Sequence, residues 1–388
     1  MSMTPPLSRP LQLRQPARLG IGPGCAAACP GELASRGLRR VLFICSGSAR
    51  AQADSLLAEC TRLGLATCVL TGVPAEPSVA DFEALLAKAD AFAADAVLGL
   101  GGGSVLDVAK LIAALHGTGL SVRAYFGNGL LPGRARYLVC LPTTAGAGSE
   151  ASPNAILYDE LDQLKKAVIS PHLVPDATFV DALLTLTVPP AVTAATGLDA
   201  LTHCIEAYAN RNAHPVMDFY ALEGARLIAT HLVTAVREGG NVAARAALSL
   251  GSYYGGLCLG PVNTAAVHAL AYPLGSRFRL AHGLSNALLL PHVIRFNAPA
   301  CPSRYAELGA ALGLPRAASD GAAAEAFADH LSQLCADCGL PPSLSAIGVK
   351  EADLPAIAAD AMKIQRLLTN NPRELTLEDA LSLYRRAL

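Results

Sequence analysis

The run AVLGLGGGSVLDVAKLIAALHG, residues 96–117, constrains the fold more than any other stretch. Five residues with strand character, 96–100, pass straight into Gly101, Gly102 and Gly103, and Ser104 stands where a helix N-cap belongs before an apolar helix. A strand that feeds a helix through so short a turn is half of a βαβ unit, so its neighbouring strands lie parallel to it. The same order appears upstream: VLFIC at 41–45 ends in SGSAR before a helical pattern over 51–64, and a strand over 66–70 precedes a helical pattern over 79–94. A further strand is expected over 137–141. The alternation predicts an α/β domain with a parallel sheet covered by helices on both faces. At the glycine turn, backbone N–H groups and the positive end of the helix dipole face outward together, which suits a pyrophosphate. The pattern is neither G-x-G-x-x-G nor a Walker loop, and tight turns use glycine for their own geometry, so both readings stand at this point.

At 388 residues the chain exceeds what one core usually supports, and Pro189 and Pro190 mark the expected division. Residues 1–188 form the α/β domain in this reading. Residues 189–388, where helical patterns are broken only by glycine and proline, form a mainly α domain. With 52% hydrophobic and 16% charged residues, the composition suits a well-packed enzyme that buries further surface in a homodimer or higher oligomer. A net charge of −1 with scattered Lys and Arg argues against nucleic acid or an anionic membrane as partner, and no apolar run reaches the length of a membrane span. Eleven cysteines without a secretory leader point to a reducing cytoplasm. Cys335 and Cys338 form one C-x-x-C, which reads as a helix end and not a structural zinc site.

The segment TGLDALTHCIEAY, residues 196–208, puts Asp199 and His203 on one face of a helix that is apolar on nearly every side. A buried, unpaired carboxylate is costly, so something must satisfy Asp199. A metal ion would do so, and His268 and His282 follow in apolar sequence; a hydrogen-bonded core histidine is the plainer alternative for each. The loop PTTAGAGSE, with Thr143, Thr144, Ser149 and Glu150, is small and polar, as where backbone approaches a ligand or simply connects two elements. Asp107 lies in the first turns of the helix after Ser104, and Lys165 and Lys166 are expected in a further turn.

Taken together, GGGSVLDVAK, PTTAGAGSE, TAATGLDALTHCIEAY, HALAYPLG, AHGLSNALLLPHV and NNPRELT resemble, in order, the motifs of the iron-containing (metal-dependent, group III) alcohol dehydrogenases. The resemblance implies that residues 1–188 are a dinucleotide-binding α/β domain that takes NAD(P), that residues 189–388 are an all-helical metal and substrate domain, and that the active site lies in the cleft between them. It implies that Asp199, His203, His268 and His282 hold Fe(II) or Zn(II), that Gly101, Gly102, Gly103 and Ser104 form the phosphate turn, and that Thr143, Thr144 and Ser149 belong to the nucleotide and nicotinamide loop. Ser46, Asp107 and one of Lys165 and Lys166 fall where such proteins line the cofactor cleft. The implied reaction is hydride transfer between NAD or NADP and a primary alcohol or its aldehyde. A metal-independent reductase of the maleylacetate reductase type is the alternative, and a dehydroquinate synthase-like lyase a more distant one; the intact Asp199 and three histidines speak against the first.

Departures from the family pattern are informative. Tyr272 stands where many members have a second histidine assigned to proton transfer, and a phenol with a reference pKa of roughly 10 is a poor base at neutral pH. Ala147 replaces a hydroxyl-bearing loop residue. After the strand at 41–45 the chain reads CSGSAR, with no carboxylate to repel a 2'-phosphate and with Arg50 to attract one, so NADP(H) is expected to be tolerated. Arg277 and Arg279, between two of the histidines, are candidates for holding a hydroxy- or oxo-acid substrate.

Overall fold

A computed structural model describes residues 9–388 of the chain. It divides into two compact units, Arg14–Val188 and Pro189–Leu388, the second also taking in the described residues before Arg14. Arg9 ties that N-terminal piece down by donating to the Asn212 side chain at 3.2 Å.

In the first unit the strands are β1 (Arg18–Ile21), β2 (Arg40–Cys45), β3 (Ala66–Leu70), β4 (Ala96–Gly101), β5 (Gly127–Asn128), β6 (Tyr137–Pro142), β7 (Asn154–Asp159), β8 (Leu164–Ile169) and β9 (Ala177–Val180). Six of them form one sheet in the order β1-β9-β6-β4-β2-β3, with every pairing parallel. The helices α1 (Cys29–Ser35), α2 (Arg50–Arg62), α3 (Val79–Asp90) and α4 (Gly103–Leu115) belong to the same unit. Because side chains alternate along a strand, successive residues feed two different cores. Leu42, Ile44, Val97, Leu138 and Cys140 join one, while Val41, Phe43, Cys45, Leu98, Val139 and Leu141 join the other. Strands buried on both faces carry no polar alternation, which is why VLFIC and AVLGL read as continuous apolar runs.

The remaining strands make a small sheet in the order β5-β8-β7, with β7 antiparallel to β8. Here the structure corrects the sequence reading: Lys165 and Lys166 lie on β8 and not in a turn. The turn precedes them and ends at Gln163, which takes φ 55°.

Lys110 on α4 is fully buried and anchors the loop after β6. Its ammonium donates to the Ser149 carbonyl at 2.8 Å, the Ser149 hydroxyl at 3.0 Å and the Asn154 carbonyl at 2.5 Å. Asp107, one turn earlier, accepts from the Ser149 hydroxyl at 2.5 Å and from the Ile156 N–H at 2.9 Å. Glu150 is buried in the same region, and burial raises its carboxyl from 4.5 to about 7, with Lys110 opposing the rise. The native state therefore holds this proton between about pH 4.5 and 7 while the unfolded chain releases it, so stability is lost as pH rises through that window. Glu150→Gln is expected to remove a pH-dependent term on the order of 2–4 kcal/mol. Urea midpoints of wild type and variant should diverge between pH 5 and about 7.5; parallel curves would show that Glu150 stays ionised in the fold.

The second unit is helical: α5 (Pro190–Tyr208), α6 (Pro215–Arg237), α7 (Val242–Cys258), α8 (Ala266–Phe278), α9 (His282–Asn297), α10 (Pro302–Ala311), α11 (Asp320–Asp337), α12 (Leu354–Ala361), α13 (Gln365–Leu368) and α14 (Leu377–Ala387). Thr376 caps α14 through a reciprocal pair with Asp379. Cys335 ends up in the last turn of α11 and Cys338 is its C-cap, and burial pushes both thiols up, to about 12 and about 11. No helix of the described residues is long and apolar enough to cross a membrane.

Candidate functional site

The helix α5 starts at Pro190, a first helical position where the missing N–H is no loss, and from Thr193 to Tyr208 every residue but Thr196 is buried. Spacings of four and three set Asp199, His203 and Glu206 along one stripe. His268 and Tyr272 come from α8, one turn apart, and His282 is the first residue of α9, with Asn286 one turn on. Gly283 makes the approach of α9 to α5 possible. A side chain there would run into the Ala195 carbonyl oxygen and stand 3.1 Å from the Asp199 Cβ.

These elements converge on one carboxylate oxygen. Asp199 Oδ1 lies 3.6 Å from His268 Nε2, 3.6 Å from His282 Nε2 and 3.9 Å from His203 Nε2. Ligand atoms of Asp199, His268 and His282 all fall within 4.8 Å of one another, and the His203 ring stacks on that of His268 at 4.8 Å. Donors about 2.1 Å from a shared ion at tetrahedral angles stand about 3.4 Å apart, so Asp199, His268 and His282 fit a first-row dication once their wider separations contract. His203, expected from the sequence as a fourth ligand, lies outside this triad with its Nε2 3.9 Å from Asp199 Oδ1. One carboxylate and several imidazoles suit iron or zinc alike. Burial pushes the Asp199 carboxyl up, but His203, His282 and His268 overcome it and hold the group well below the usual carboxylate range.

Two polar residues that sequence reasoning passed over complete the constellation. Glu206, buried, has Oε2 2.6 Å from His268 Nδ1, leaving Nε2 to face Asp199, and its carboxylate also accepts from the Ala265 N–H at 3.0 Å and the Val267 N–H at 2.6 Å. Burial disfavours a charged His268, yet its bonds to Asp199 and Glu206 raise it to about 10. The Asn286 amide donates to Asp199 Oδ1 at 2.7 Å and lies 3.2 and 3.3 Å from His268 Nε2 and His282 Nε2. The signal was periodicity: Glu206 is seven residues from Asp199 and Asn286 four from His282, each on the ligand stripe of its helix.

Tyr272 is buried beside this group, its ring 5.6 Å from that of His282. Its hydroxyl accepts from Arg366 Nη2 on α13 at 3.2 Å. The two arginines favoured from sequence go elsewhere. Arg277 is paired with Asp360 at 2.5 Å on the surface, and Arg279 closes α8 in the left-handed conformation with φ 55°.

In the α/β unit, Ser46, Gly101 and Thr143 occupy the carboxyl ends of the adjacent strands β2, β4 and β6, the edge where open parallel sheets take ligands. Ser46 N donates to the Leu100 carbonyl and Thr143 N to the Gly101 carbonyl, both at 3.0 Å. The N-cap of α4 is Gly102 and not Ser104, which is the second helical residue and donates to the Ala75 carbonyl. With no side chain capping α4, its first N–H groups remain for an anion. The glycines also answer a packing demand: a Cβ on Gly101 would stand 2.6 Å from Val105 Cβ, and one on Gly103 2.6 Å from Ala147 Cβ, while Thr144 Oγ1 would be 3.3 Å from one on Gly102. Asp107 and Ser149 are held in the Lys110 network. Lys166 pairs with Asp159 at 2.9 Å and with Asp162, Lys165 with Glu76 at 2.6 Å, and Arg50 with Asp54 at 2.9 Å.

The chain matches known proteins along nearly its whole length. The pattern of the family described as iron-containing alcohol dehydrogenase matches residues 16–182, and that of the Fe-containing alcohol dehydrogenase family, C-terminal, matches residues 193–388. Long-chain-alcohol dehydrogenase 1 of Geobacillus thermodenitrificans is 38% identical over 338 residues, 86% of this chain and 85% of that protein. Among solved structures, 1,3-propanediol oxidoreductase superposes with a TM-score of 0.94 at 31% identity, covering 98% of this chain and all of that one. Sulfoacetaldehyde reductase from Bifidobacterium kashiwanohense, in complex with NAD+, superposes with a TM-score of 0.89 at 26% identity, over 98% of this chain and 99% of that one.

Proposed function

The chain belongs to the iron-containing alcohol dehydrogenase family, and from that premise we infer that it interconverts a primary alcohol and its aldehyde with a nicotinamide dinucleotide, on a divalent ion held by Asp199, His203, His268 and His282. The observation that carries the reading is the convergence of three imidazole Nε2 atoms on Asp199 Oδ1 inside buried helix packing. An ion bound there supplies Lewis acidity, easing loss of the alcohol proton in one direction and polarising the aldehyde carbonyl in the other.

The chain's own groups set charge, orientation and proton supply. One carboxylate against neutral imidazoles leaves a bound dication with net positive charge. Glu206 fixes the His268 ring so that Nε2 and not Nδ1 faces the ligand cluster. Tyr272, its oxygen held by Arg366, presents a hydroxyl near the cluster that acts as a hydrogen-bond donor more readily than as a base. For the dinucleotide, the uncapped start of α4 after Gly101–Gly103 holds the pyrophosphate, Thr143 and Thr144 approach the nucleotide, and Ser46 lines the adjoining strand end. Asp107 and Ser149 act by holding that loop in place. In this reading residues 1–188 carry the nucleotide and residues 189–388 the metal and substrate. The enzyme is cytoplasmic and a homodimer or larger.

Exhaustive chelation is expected to lower NADH- or NADPH-linked aldehyde reduction by at least about 100-fold, with recovery on adding Fe(II) or Zn(II). Metal content measured beside the rates makes the test decisive. Full turnover in a metal-free preparation would move the protein to the metal-independent reductases.

A further inference from the structure

We propose that Arg366 and Tyr272 form an anion-recognising subsite beside the metal ligands, so that the substrate is a short-chain aldehyde bearing a carboxylate, sulfonate or phosphonate. The proposal rests on the dehydrogenase reading above and names its substrate class. Arg366 stands in the short helix α13, exposed at its outer face. Its guanidinium does not extend away from the protein. Nη2 donates to the Tyr272 hydroxyl at 3.2 Å, and the guanidinium carbon is 5.7 Å from the centre of the Tyr272 ring. That ring is in turn 5.6 Å from the ring of His282, whose Nε2 faces Asp199. A single aromatic side chain therefore links a guanidinium to a metal ligand.

Among the described residues no ion pair balances the charge of this arginine. Asp360 at the end of α12 already receives Arg277 at 2.5 Å and Lys363 at 2.7 Å. Among the described residues no carboxylate is ion-paired with Arg366, and its polar side-chain contact is the neutral phenol. A guanidinium has five N–H donors in a planar fork, so the bond to Tyr272 leaves room for a two-oxygen anion. Tyr272 holds the fork by its hydroxyl and its ring face together, which lowers the entropy lost when an anion binds. An aldehyde placed at the ligand cluster with its acidic group on Arg366 spans from one positive site to the other. Hydride from the reduced nicotinamide goes to its carbonyl carbon and a proton to its oxygen, giving the hydroxy acid and the oxidised nucleotide.

The test compares kcat/KM for propanal and butanal with that for glyoxylate, succinate semialdehyde, sulfoacetaldehyde and phosphonoacetaldehyde, in wild type, Arg366→Ala and Arg366→Lys. The three anionic groups distinguish which acid the subsite takes. Wild type is expected to favour at least one anionic aldehyde, and the anionic-to-neutral ratio is expected to fall about 10- to 100-fold in Arg366→Ala, chiefly through KM, with partial recovery in Arg366→Lys. Should Arg366→Ala fold poorly, the salt dependence of wild-type KM gives the same answer: it should rise with ionic strength for the anionic substrate only. Equal preference for neutral and anionic aldehydes in wild type, or an unchanged ratio in the variant, overturns the subsite and leaves the dehydrogenase standing. Absence of turnover on every aldehyde by metal-replete enzyme overturns both.

Discussion

Asp199→Asn is expected to purify with less than about a tenth of the wild-type metal content and to lose kcat by roughly a thousand-fold, equivalent to about 4 kcal/mol at the transition state. Asparagine keeps the size and shape of the side chain, so α5 should pack as before. What changes is charge. Three imidazoles hold the Asp199 carboxyl ionised against the burial that favours its neutral form, and that negative charge is the one oxygen donor at the centre of the set. In the variant a neutral amide faces Nε2 atoms that themselves need an ion or a proton, and Asn286 Nδ2 loses the charged acceptor it reaches at 2.7 Å. Atomic spectroscopy of the purified variant and rates with added Fe(II) or Zn(II) read the two effects separately. Full metal occupancy with an unchanged kcat would remove Asp199 from the ligand set.

How much of this was legible depended on whether a residue's partner was near in sequence. The parallel sheet announced itself because strands buried on both faces need unbroken apolar runs, and 41–45, 96–100 and 137–141 supply them. The β7–β8 hairpin was hidden. The inner face alternates along β7, as in Ala155, Leu157 and Asp159, but on β8 the adjacent Lys165 and Lys166 point to opposite faces, Lys166 opposite Leu157 and Lys165 opposite Tyr158. Their acidic partners Glu76, Asp159 and Asp162 can be paired with them only once the chain is folded. Asp199 and His203 could be paired from their spacing on one helix, whereas the contribution of α8 and α9 followed from family resemblance, since nothing local brings residues 268 and 282 to residue 199. Ser104 shows the opposite error. It has the chemistry of an N-cap, but Gly102 takes the extended conformation two residues earlier, and the hydroxyl is used to hold the Ala75 carbonyl. Arginine placement was the least legible feature, because Arg277 finds Asp360 across 83 residues while Arg366 finds Tyr272 across 94.

Glu206 separates a role in building the metal centre from a role in building the fold, because it performs two tasks with one carboxylate. The helix α8 has no side-chain cap of its own at Ala265, and Glu206 reaches across from α5 to accept the Ala265 and Val267 N–H groups, placing negative charge at the positive end of the helix. The same carboxylate holds His268 Nδ1 at 2.6 Å, which fixes the tautomer that offers Nε2 as a donor. Glu206→Gln retains the volume but replaces one acceptor oxygen by an NH2 group facing a donor. Its stability is expected to fall by about 1–3 kcal/mol, since a buried donor is left unmatched. Its affinity for Zn(II), measured by competition with a chromophoric chelator on stripped protein, is expected to weaken about 10- to 100-fold. Because the titration requires no turnover, it reads His268 orientation directly. A variant that melts earlier yet binds metal as tightly as wild type would assign Glu206 to capping α8 alone, with His268 oriented by its packing against His203 and Asn286.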